Sequence, residues 1–479
     1  MTVCAPGGKT LQNCKRAMPP TSSSQAIAEA YFNDGCTCLT QRDFLTAETY
    51  FLRAIALAPD FGDALTNLAF VQDHRGDTLA AEQNYRLALA AGADSTPLHL
   101  NLGAIYASQK RFDLAERHYL QAIQRNPAGA AAWSNLGALY LGQQRDHEAE
   151  CALQSALALD PAHAKAQFNL SYLYLRHGRY EEGWRCYEAR DWFGAFTQHF
   201  DIPRWAGQPL QDKSLVIVCE AGHGDAIQIC RYVALVNPLG GASITLVCHP
   251  ALKVLMASME CVHCVVGFGE PLPRTGWDFW TPLMSLPFLL KTTAQTIPTA
   301  IPYLHADPQR ILHWQSRLPV GRRRVGLVWK GNPQFHNDAD RSLPDVKTLL
   351  PLWQVQGIDF ISLQKGAGEK EWAGIGSDYP LLGLGQDMDS FADASAIVSS
   401  LDLVVCVDTA MAHLAGALGR ACWVLLPYYM PDWRWGVTGA TSPWYAPNMR
   451  LFRQQQGESW SDMVLKVAQA LAKTNPTQY

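Results

Sequence analysis

The sequence lacks the features that would direct it to a membrane or to a nucleic acid. No run of apolar residues approaches the roughly 18 that a membrane-spanning helix needs. The formal net charge is only −4, which gives no strong attraction to nucleic acid or to an anionic membrane. Lys9, Lys15 and Arg16 are not followed by the apolar stretch of a secretory signal. We therefore expect a cytoplasmic protein with no integral membrane segment and no nucleic-acid partner.

The cysteines form no pattern typical of disulfides or of a zinc site. There are 13, an odd number, and many fall inside predicted helices or strands, as Cys219 and Cys406 do. CTC (36–38) and CVHC (261–264) each lack a second ligand pair at a spacing that zinc requires. CVHCVVGF is typical of an apolar strand. We predict free thiols in a reducing compartment and no metal site.

Length and composition indicate several packed domains. The 479 residues and a hydrophobic content of 48% are enough for two or three cores. From the patterns described below we expect a flexible leader (1–24), a helical repeat array (25–197), a first α/β domain (198–318) and a second α/β domain (319–479).

One short motif recurs at a fixed interval in the first half of the chain. SNLGALY (134–140) follows LNLGAIY (100–106) by one period, with TNLAFVQ (66–72) before them and FNLSYLY (168–174) after them. The same period carries a small residue at Gly35, Ala69, Gly103, Gly137 and Ser171, and a large one at Phe51, Tyr85, Tyr119, Leu153 and Tyr187. Small residues let two antiparallel helices approach, and large ones fill the gap to the next pair. The pattern resembles the tetratricopeptide repeat, whose period is 34 residues, and predicts an α-solenoid of about five repeats.

The period also places an asparagine in the first helix of every repeat. These residues are Asn33, Asn67, Asn101, Asn135 and Asn169. Asn is a mediocre helix former, so its recurrence needs a reason. In the tetratricopeptide unit the first helix lines the concave face, and a carboxamide there can pair with the backbone of any extended peptide. We expect the five to bind a protein or peptide acceptor. Alternatively, they reflect a general preference of such repeats for peptides or for helix pairing.

The fifth repeat differs from the others because it is rich in aromatic residues. Trp184, Tyr187, Trp192, Phe193 and Phe196 lie within or just after it. A capping repeat would have a polar outer face. We therefore expect these rings to pack against the next domain.

From about residue 214 the pattern changes to alternating strands and helices. Short apolar runs such as SLVIVCE, SITLVCHP, RRVGLVW, IDFISLQ and LDLVVCV alternate with segments of helical period. This alternation predicts βαβ units and parallel sheets. Two such sheets in series would place a ligand cleft at the carboxyl ends of their strands.

The first of these strands ends in a glycine-containing turn. In GHGD (222–225), Gly222 and Gly224 permit a tight turn and a close approach of backbones. Asp225 would then face the cleft at the start of a helix. Its alternative role is that of an ordinary helix cap.

Later strand ends supply cations, amides and a further helix start. Lys330 and Asn332 of WKGNP, with Arg341, could hold a phosphate, and Gln364 ends the next strand. In VDTAMAHLAGALG (407–419), Thr409 opens a helix whose free N–H groups attract an anion. Asp408 would accept hydrogen bonds from sugar or ribose hydroxyls, and His413 lies on the same helix face as Thr409. The alternatives are a helix cap for Asp408 and a buried core histidine for His413.

The ordered set GHGD, GLVWKGNP, DRS, SLQKG, DTAMAHLAGALG, DWRW and SPWYAPNMRLFRQ resembles the heptosyltransferase-like glycosyltransferases. The likeness is to bacterial members that carry N-terminal tetratricopeptide repeats. It implies the glycosyltransferase-B fold of two Rossmann-like domains, with an acceptor-side first domain, a donor-side second domain and a final helix that crosses back onto the first sheet. It also implies an inverting transfer from a nucleotide-sugar, without a metal or another cofactor.

The resemblance assigns roles to individual residues. Asp225 matches the catalytic base, and His223 stands where the family has an aliphatic residue and is a second candidate. The donor site takes Lys330, Asn332, Arg341, Gln364, Asp408, Thr409, His413 and Arg434. Ala410 replaces the usual glycine of the donor-binding element. The donor's sugar and base, the choice between the two candidate bases and the oligomeric state stay open.

Three functions remain after this comparison. The first is a glycosyltransferase with a protein acceptor, such as a flagellin-like or other secreted protein, docked on the array. Its architecture is similar to that of O-linked N-acetylglucosamine transferases. The second is a transferase of lipid-linked or surface-polysaccharide assembly. The third is a non-enzymatic scaffold with a degenerate nucleotide-binding module.

Overall fold

We analysed a computed structural model, which describes residues 23–190, 194–236, 243–372 and 379–474. The chain divides into two compact units, one ending at Asn169 and the other beginning at Leu170. Of the predicted leader (1–24), only Ser23 and Ser24 are described, and they begin the first helix. Trp192 and Phe193 lie outside the described residues.

The first unit consists of antiparallel helix pairs, as the repeat pattern predicts. Its helices are α1 (Ser23–Thr40), α2 (Phe44–Leu57), α3 (Gly62–His74), α4 (Thr78–Ala90), α5 (Thr96–Ser108), α6 (Phe112–Arg125), α7 (Ala130–Gly142) and α8 (Asp146–Leu159). The unit boundary falls inside α9 (Ala164–Arg176). Cys36 and Cys38 lie in α1.

The small and large repeat positions contact each other within a repeat. A methyl group added at Gly103 would lie 2.7 Å from Cε1 of Tyr119, and one at Gly137 would lie 2.6 Å from Cγ of Leu153. The glycine therefore leaves room for the large side chain of the second helix. This is the close helix approach that the sequence predicts.

The second unit begins with the rest of α9 and then α10 (Tyr180–Tyr187) and α11 (Gly194–His199). It contains two fully parallel sheets. The first has the order β3-β2-β1-β4, with β1 (Ser214–Val218), β2 (Ser243–Cys248), β3 (Cys264–Gly267) and β4 (Phe279–Pro282). The second has the order β10-β9-β8-β5-β6-β7, with β5 (Arg323–Val328), β6 (Ile358–Ser362), β7 (Leu381–Gly383), β8 (Leu403–Val407), β9 (Cys422–Leu426) and β10 (Met449–Arg453). The predicted βαβ organisation is confirmed.

Helices connect the strands of both sheets. They are α12 (His223–Ile229), α13 (Val233–Val236), α14 (Pro250–Met256), α15 (Leu286–Leu289), α16 (Pro308–Gln315), α17 (Asp338–Arg341), α18 (Phe391–Ser399), α19 (Ala410–Ala417) and α20 (Trp460–Lys473). Short 3₁₀ turns lie at 346–354 and 433–435. Among the described residues, no helix is long and apolar enough to cross a membrane.

The final helix does not pack where the resemblance places it. The apolar stripe of α20, which includes Met463, Val467 and Leu471, joins the core of the second sheet with Val325 and Leu327 of β5. The prediction that this helix crosses onto the first sheet is therefore wrong. Its apolar face packs against the neighbouring 3₁₀ turn and against β10 of the second sheet.

Candidate functional site

The site lies where one helix from each sheet of the second unit meets the other. α12 follows β1 and α19 follows β8, and the two helices pack together at Gly224. A methyl group added to Gly224 would lie 2.9 Å from Cδ2 of His413 and 3.3 Å from Cα of Ala410. The close approach that the GHGD turn predicts is therefore real. It brings the strand ends that carry Asp225 and Thr409 to one place.

Asp225 is buried at the start of α12 and both of its oxygens are bonded. Its exposed fraction is 7%. Oδ2 accepts a hydrogen bond of 2.9 Å from the backbone N–H of Gly222, and Oδ1 accepts one of 2.6 Å from Nη2 of Arg434. Asp225 thus has the capping role considered for it, together with an ion pair that the sequence did not predict.

Arg434 is a buried bridge between carboxylates. Its guanidinium group is 2% exposed, donates to both oxygens of Asp432 at 2.9 and 3.0 Å, and donates through Nε to Gln228 of α12. Although burial alone would lower it, the carboxylates of Asp432 and Asp225 raise the pKa of Arg434 above its ordinary value. The prediction that Arg434 lies at the donor receives no support from this arrangement. Its donors are directed at two carboxylates and one amide oxygen within the protein.

His223 is the more accessible of the two candidate bases. It is half-buried at the first position of α12. Its ring lies 4.4 Å from that of His249 and 5.2 Å from that of Phe391, measured between centroids. Burial and the neighbouring His249 lower the pKa of His223. The imidazole is therefore neutral near pH 7, and a neutral imidazole nitrogen can accept a proton.

Asp408 and Thr409 end β8 and open α19, as predicted. Thr409 is the N-cap residue of α19, but its side chain makes no capping hydrogen bond. Its Oγ1 atom is buried and has no hydrogen-bond partner. Burial and the nearby Asp432 carboxylate raise the pKa of Asp408 to about 6. The first turn of α19 therefore has a hydroxyl and backbone N–H groups without a capping bond, beside a carboxyl group that is easily protonated.

His413 is a buried histidine with partners inside the protein. Its ring stacks on Trp435 with centroids 5.2 Å apart, and its Nδ1 shares a hydrogen bond of 2.9 Å with Oη of Tyr445. Burial, together with the guanidinium groups of Arg434 and Arg231, lowers the pKa of His413 well below the usual range. This placement matches the core histidine that the sequence left open as an alternative to donor binding.

The cations predicted for a phosphate are paired with carboxylates. Nζ of Lys330 donates to Glu371, and Nε of Arg341 donates to Asp338 at 3.1 Å. Asn332 is exposed, and its side-chain oxygen accepts from the backbone of Gln334. Lys330 is nevertheless only half-buried, so a ligand could compete for it.

Gln364 stabilises the backbone at the end of β5. It is 2% exposed. Its side-chain oxygen accepts from the backbone N–H groups of Trp329 and Lys330 at 3.0 and 2.9 Å, and its amide donates to carbonyl groups that include those of Lys330 and Ala367. The prediction that it binds the donor is not supported, because backbone groups already use its oxygen and its amide nitrogen.

Four of the five periodic asparagines are buried. Asn67, Asn101 and Asn169 are each 1% exposed and Asn135 is 5% exposed, whereas Asn33 is exposed. This burial does not support the expectation that these four bind an acceptor in a groove. Nδ2 of Asn67 lies 3.5 Å from Sγ of Cys36 in the preceding repeat. The amide is thus directed at the helix before it, and Asn33 belongs to the first described repeat, which has no preceding helix among the described residues.

Several partners at the site were not found from the sequence. Glu371 pairs with Lys330, Asp432 with Arg434, and Tyr445 with His413. Arg231 donates to the backbone oxygen of Trp444 at 2.7 Å and to Oη of Tyr303 at 2.8 Å. These residues occupy no strand end and belong to no periodic pattern. Among the described residues, no group of three or more His, Cys, Asp or Glu side chains could hold a metal ion.

Comparison with known proteins finds the repeats and one curated relative. Models of the tetratricopeptide repeat match residues 28–61, 50–83, 97–128 and 147–183. Protein FlbA of Caulobacter vibrioides is 28% identical over 331 residues, which are 61% of this chain and 52% of FlbA. The chain thus spans about half the length of this curated relative.

Two solved structures are similar to separate parts of the chain. ADP-heptose lipopolysaccharide heptosyltransferase II of E. coli has 15% identity and a TM-score of 0.41, covering 54% of this chain and 98% of its own. PilF of Pseudomonas aeruginosa has 22% identity and a TM-score of 0.33, covering 35% of this chain and 77% of its own. By its own elements, the chain combines tetratricopeptide repeats with two parallel α/β sheets, an architecture consistent with the glycosyltransferase-B fold.

Proposed function

We propose that this protein is an inverting glycosyltransferase that moves a sugar from a nucleotide-sugar donor to a hydroxyl group of a protein acceptor. The observation that carries the proposal is the contact between the starts of α12 and α19 at Gly224. It places a carboxylate and an imidazole from the first sheet beside a helix N-terminus from the second. An acceptor hydroxyl and a leaving diphosphate need these groups.

In this proposal Asp225 removes the proton from the acceptor hydroxyl as that oxygen attacks the anomeric carbon. A carboxylate has about four lone-pair positions, so the bonds from Gly222 and Arg434 leave capacity for one more donor. His223, half-exposed beside it, is the second candidate. Substitution of each residue in turn separates the two.

The donor diphosphate is placed at the start of α19. The backbone N–H groups of a helix N-terminus and its dipole stabilise an anion, and the unpartnered hydroxyl of Thr409 supplies one more donor. Lys330 would leave Glu371 and pair with the diphosphate as negative charge develops on the leaving group. Asp408 would accept hydrogen bonds from hydroxyl groups of the sugar or the ribose.

The protein acceptor is proposed from the repeat array. Such arrays leave a curved surface free for partners, because each repeat contacts only its neighbours. The burial of Asn67, Asn101, Asn135 and Asn169 removes the amide ladder as the argument for a polypeptide. Other side chains of the array would therefore have to bind it.

A non-enzymatic scaffold is the second candidate, and one observation favours it. Both predicted phosphate-binding cations are paired: Lys330 with the carboxylate of Glu371, and Arg341 with that of Asp338. A site in which these pairs never open would bind a diphosphate weakly and would catalyse no transfer.

Calorimetric titration of the full chain with UDP, GDP, ADP and CDP separates the two candidates. A transferase binds one of these nucleotides and slowly hydrolyses the matching nucleotide-sugar. Mass spectrometry of proteins co-expressed with the wild type and with Asp225→Ala then identifies the acceptor by a sugar mass that only the wild type adds. Absence of both binding and hydrolysis would leave the scaffold.

A further inference from the structure

The segment 432–435, which holds Arg434, is fixed by aromatic rings. Trp433 and Trp435 are buried, and the guanidinium carbon of Arg434 lies 4.2 Å from the centroid of the Trp433 ring. A cation held over an aromatic face gains an electrostatic attraction in addition to its ion pairs. The position of Arg434 therefore depends on where the Trp433 ring lies.

The Trp433 ring packs against the last repeat helix. Within the second unit, its centroid lies 5.2 Å from that of Trp184 in α10, with the rings at 88°. Trp184 also lies 6.5 Å from Trp444 and 5.7 Å from Tyr187. Edge-to-face pairs at such distances are attractive. The four side chains are buried, so they form a packed aromatic cluster.

The contacts continue from this cluster to the candidate base. Trp184 contacts Trp433, Trp433 contacts Arg434, and Arg434 donates the 2.6 Å hydrogen bond to Asp225. Burial and the Asp225 carboxylate both raise the pKa of Tyr187, in agreement with its position close to that carboxylate. A terminal repeat that served only as a cap would have a polar outer face, whereas α10 buries Trp184 against Trp433 and Trp444.

We propose that α10 is a working part of the catalytic unit and that Trp184 is a positioning residue, which acts through Trp433 and Arg434 to hold Asp225. The role in catalysis rests on the glycosyltransferase function proposed above. The structural link from Trp184 to Asp225 does not depend on that function. Deletion of the repeats up to and including α10 would therefore remove a support of the site and not only a part of the array.

The test compares Trp184→Phe and Trp184→Ala with Trp133→Ala in the full-length protein. Trp133 lies in α7 of the first unit, and its Nε1 donates to the backbone oxygen of Pro127. Three quantities are measured: amide hydrogen exchange of residues 223–229, turnover in donor hydrolysis without an acceptor, and affinity for the nucleoside diphosphate.

In Trp184→Ala we expect exchange at 223–229 to quicken by about tenfold, because a less supported helix opens more often. Turnover should fall by at least about tenfold, since small displacements of a reacting group are costly, while nucleotide affinity stays within about threefold. Trp184→Phe keeps an aromatic ring and should therefore retain most of the wild-type turnover and of the wild-type protection at 223–229. Trp133→Ala should change none of the three quantities.

Unchanged exchange at 223–229 in both Trp184 variants would overturn the proposal. If Trp184→Ala fails to fold, Trp184→Leu decides, because it keeps apolar volume at the position but has no aromatic ring. A slower turnover at unchanged nucleotide affinity in Trp184→Leu still requires the link, and wild-type values in all three measurements contradict it. If the wild type hydrolyses no nucleotide-sugar but exchange at 223–229 responds to Trp184, the link stands and the transferase function fails.

Discussion

Asp225 of α12 and Arg434 after β9 form a buried ion pair at 2.6 Å. Asp225 follows the first sheet and Arg434 follows a strand of the second, so this hydrogen bond, with the one from Nε of Arg434 to Gln228, joins α12 to the segment after β9. Truncation of either partner would leave a charge in a site with little water. Such changes are usually costly. Asp432 lessens this cost for Arg434, because it accepts two further bonds from the same guanidinium group.

We predict that Asp225→Asn abolishes transfer and leaves nucleotide affinity within about threefold, because a base contributes in the transition state. His223→Gln is the matched variant and should retain most of the turnover. The measurements are initial rates and calorimetric titration, with thermal unfolding as a check that both variants fold.

The pH dependence distinguishes the two bases independently. The pKa of His223 lies below the ordinary 6.5 of histidine, so a rate that depended on neutral His223 would fall as the pH drops through that lower value. If the wild type shows this fall and His223→Gln does not, the imidazole is the base and the assignment of Asp225 is wrong.

Glu371 should compete with the donor for Lys330. We predict that Lys330→Ala weakens diphosphate binding by about 1.5–3 kcal/mol, the range for a charged hydrogen bond. Glu371→Gln should strengthen it, since the amide keeps an oxygen for Trp329 and Val346 but no longer neutralises the lysine. Calorimetry with the preferred nucleotide measures both. Equal affinities in the wild type and in both variants would remove Lys330 from the donor site.

The buried asparagines should matter for stability. We predict that Asn101→Ala lowers the free energy of unfolding by about 0.5–1.5 kcal/mol, because a buried amide loses its hydrogen bonds. Asn33 is the equivalent residue of the first repeat and is exposed. Asn33→Ala should therefore be neutral or slightly stabilising, since Ala is the better helix former. Thermal and urea unfolding compare the two. A loss of acceptor modification in Asn101→Ala at unchanged stability would instead restore the groove role.

Asp408 should make the stability depend on pH. Its folded-state pKa of about 6 lies above the ordinary value of 3.8 for an aspartate, so its contribution to stability is fully present below pH 3.8 and is lost as the pH rises through 6. We therefore predict that Asp408→Asn becomes more stable relative to the wild type between pH 5 and pH 7.5. The difference in melting temperature between the two proteins measures this. Asp389→Asn, at an exposed carboxylate, should show no such change.

The sequence predicted the architecture better than the side-chain partners. Periodicity identified the repeats, and βαβ alternation identified both sheets, because both depend on spacing along the chain. The close approach at Gly224 followed from the residue type. The partners of Lys330 and Gln364 could not be predicted from residue type or spacing. Glu371, for example, lies 41 positions beyond Lys330, and no pattern joins the two.

The periodic asparagines show the limit of a pattern argument. A repeat period shows which residues are equivalent. It does not show whether their shared position faces a groove or the preceding helix. Only the exposure of Asn33 beside the burial of Asn67 separates the two. The same holds for Arg434, whose burial between two carboxylates depends on segments far apart in sequence.

The aromatic cluster of Trp184, Trp433 and Trp444 has an optical consequence. Indole rings with centroids 5.2–6.5 Å apart couple electronically, and their fixed mutual angles give a strong circular dichroism signal in the near ultraviolet. Light absorption can therefore report, in solution and without a label, whether α10 and the segment before β10 are docked.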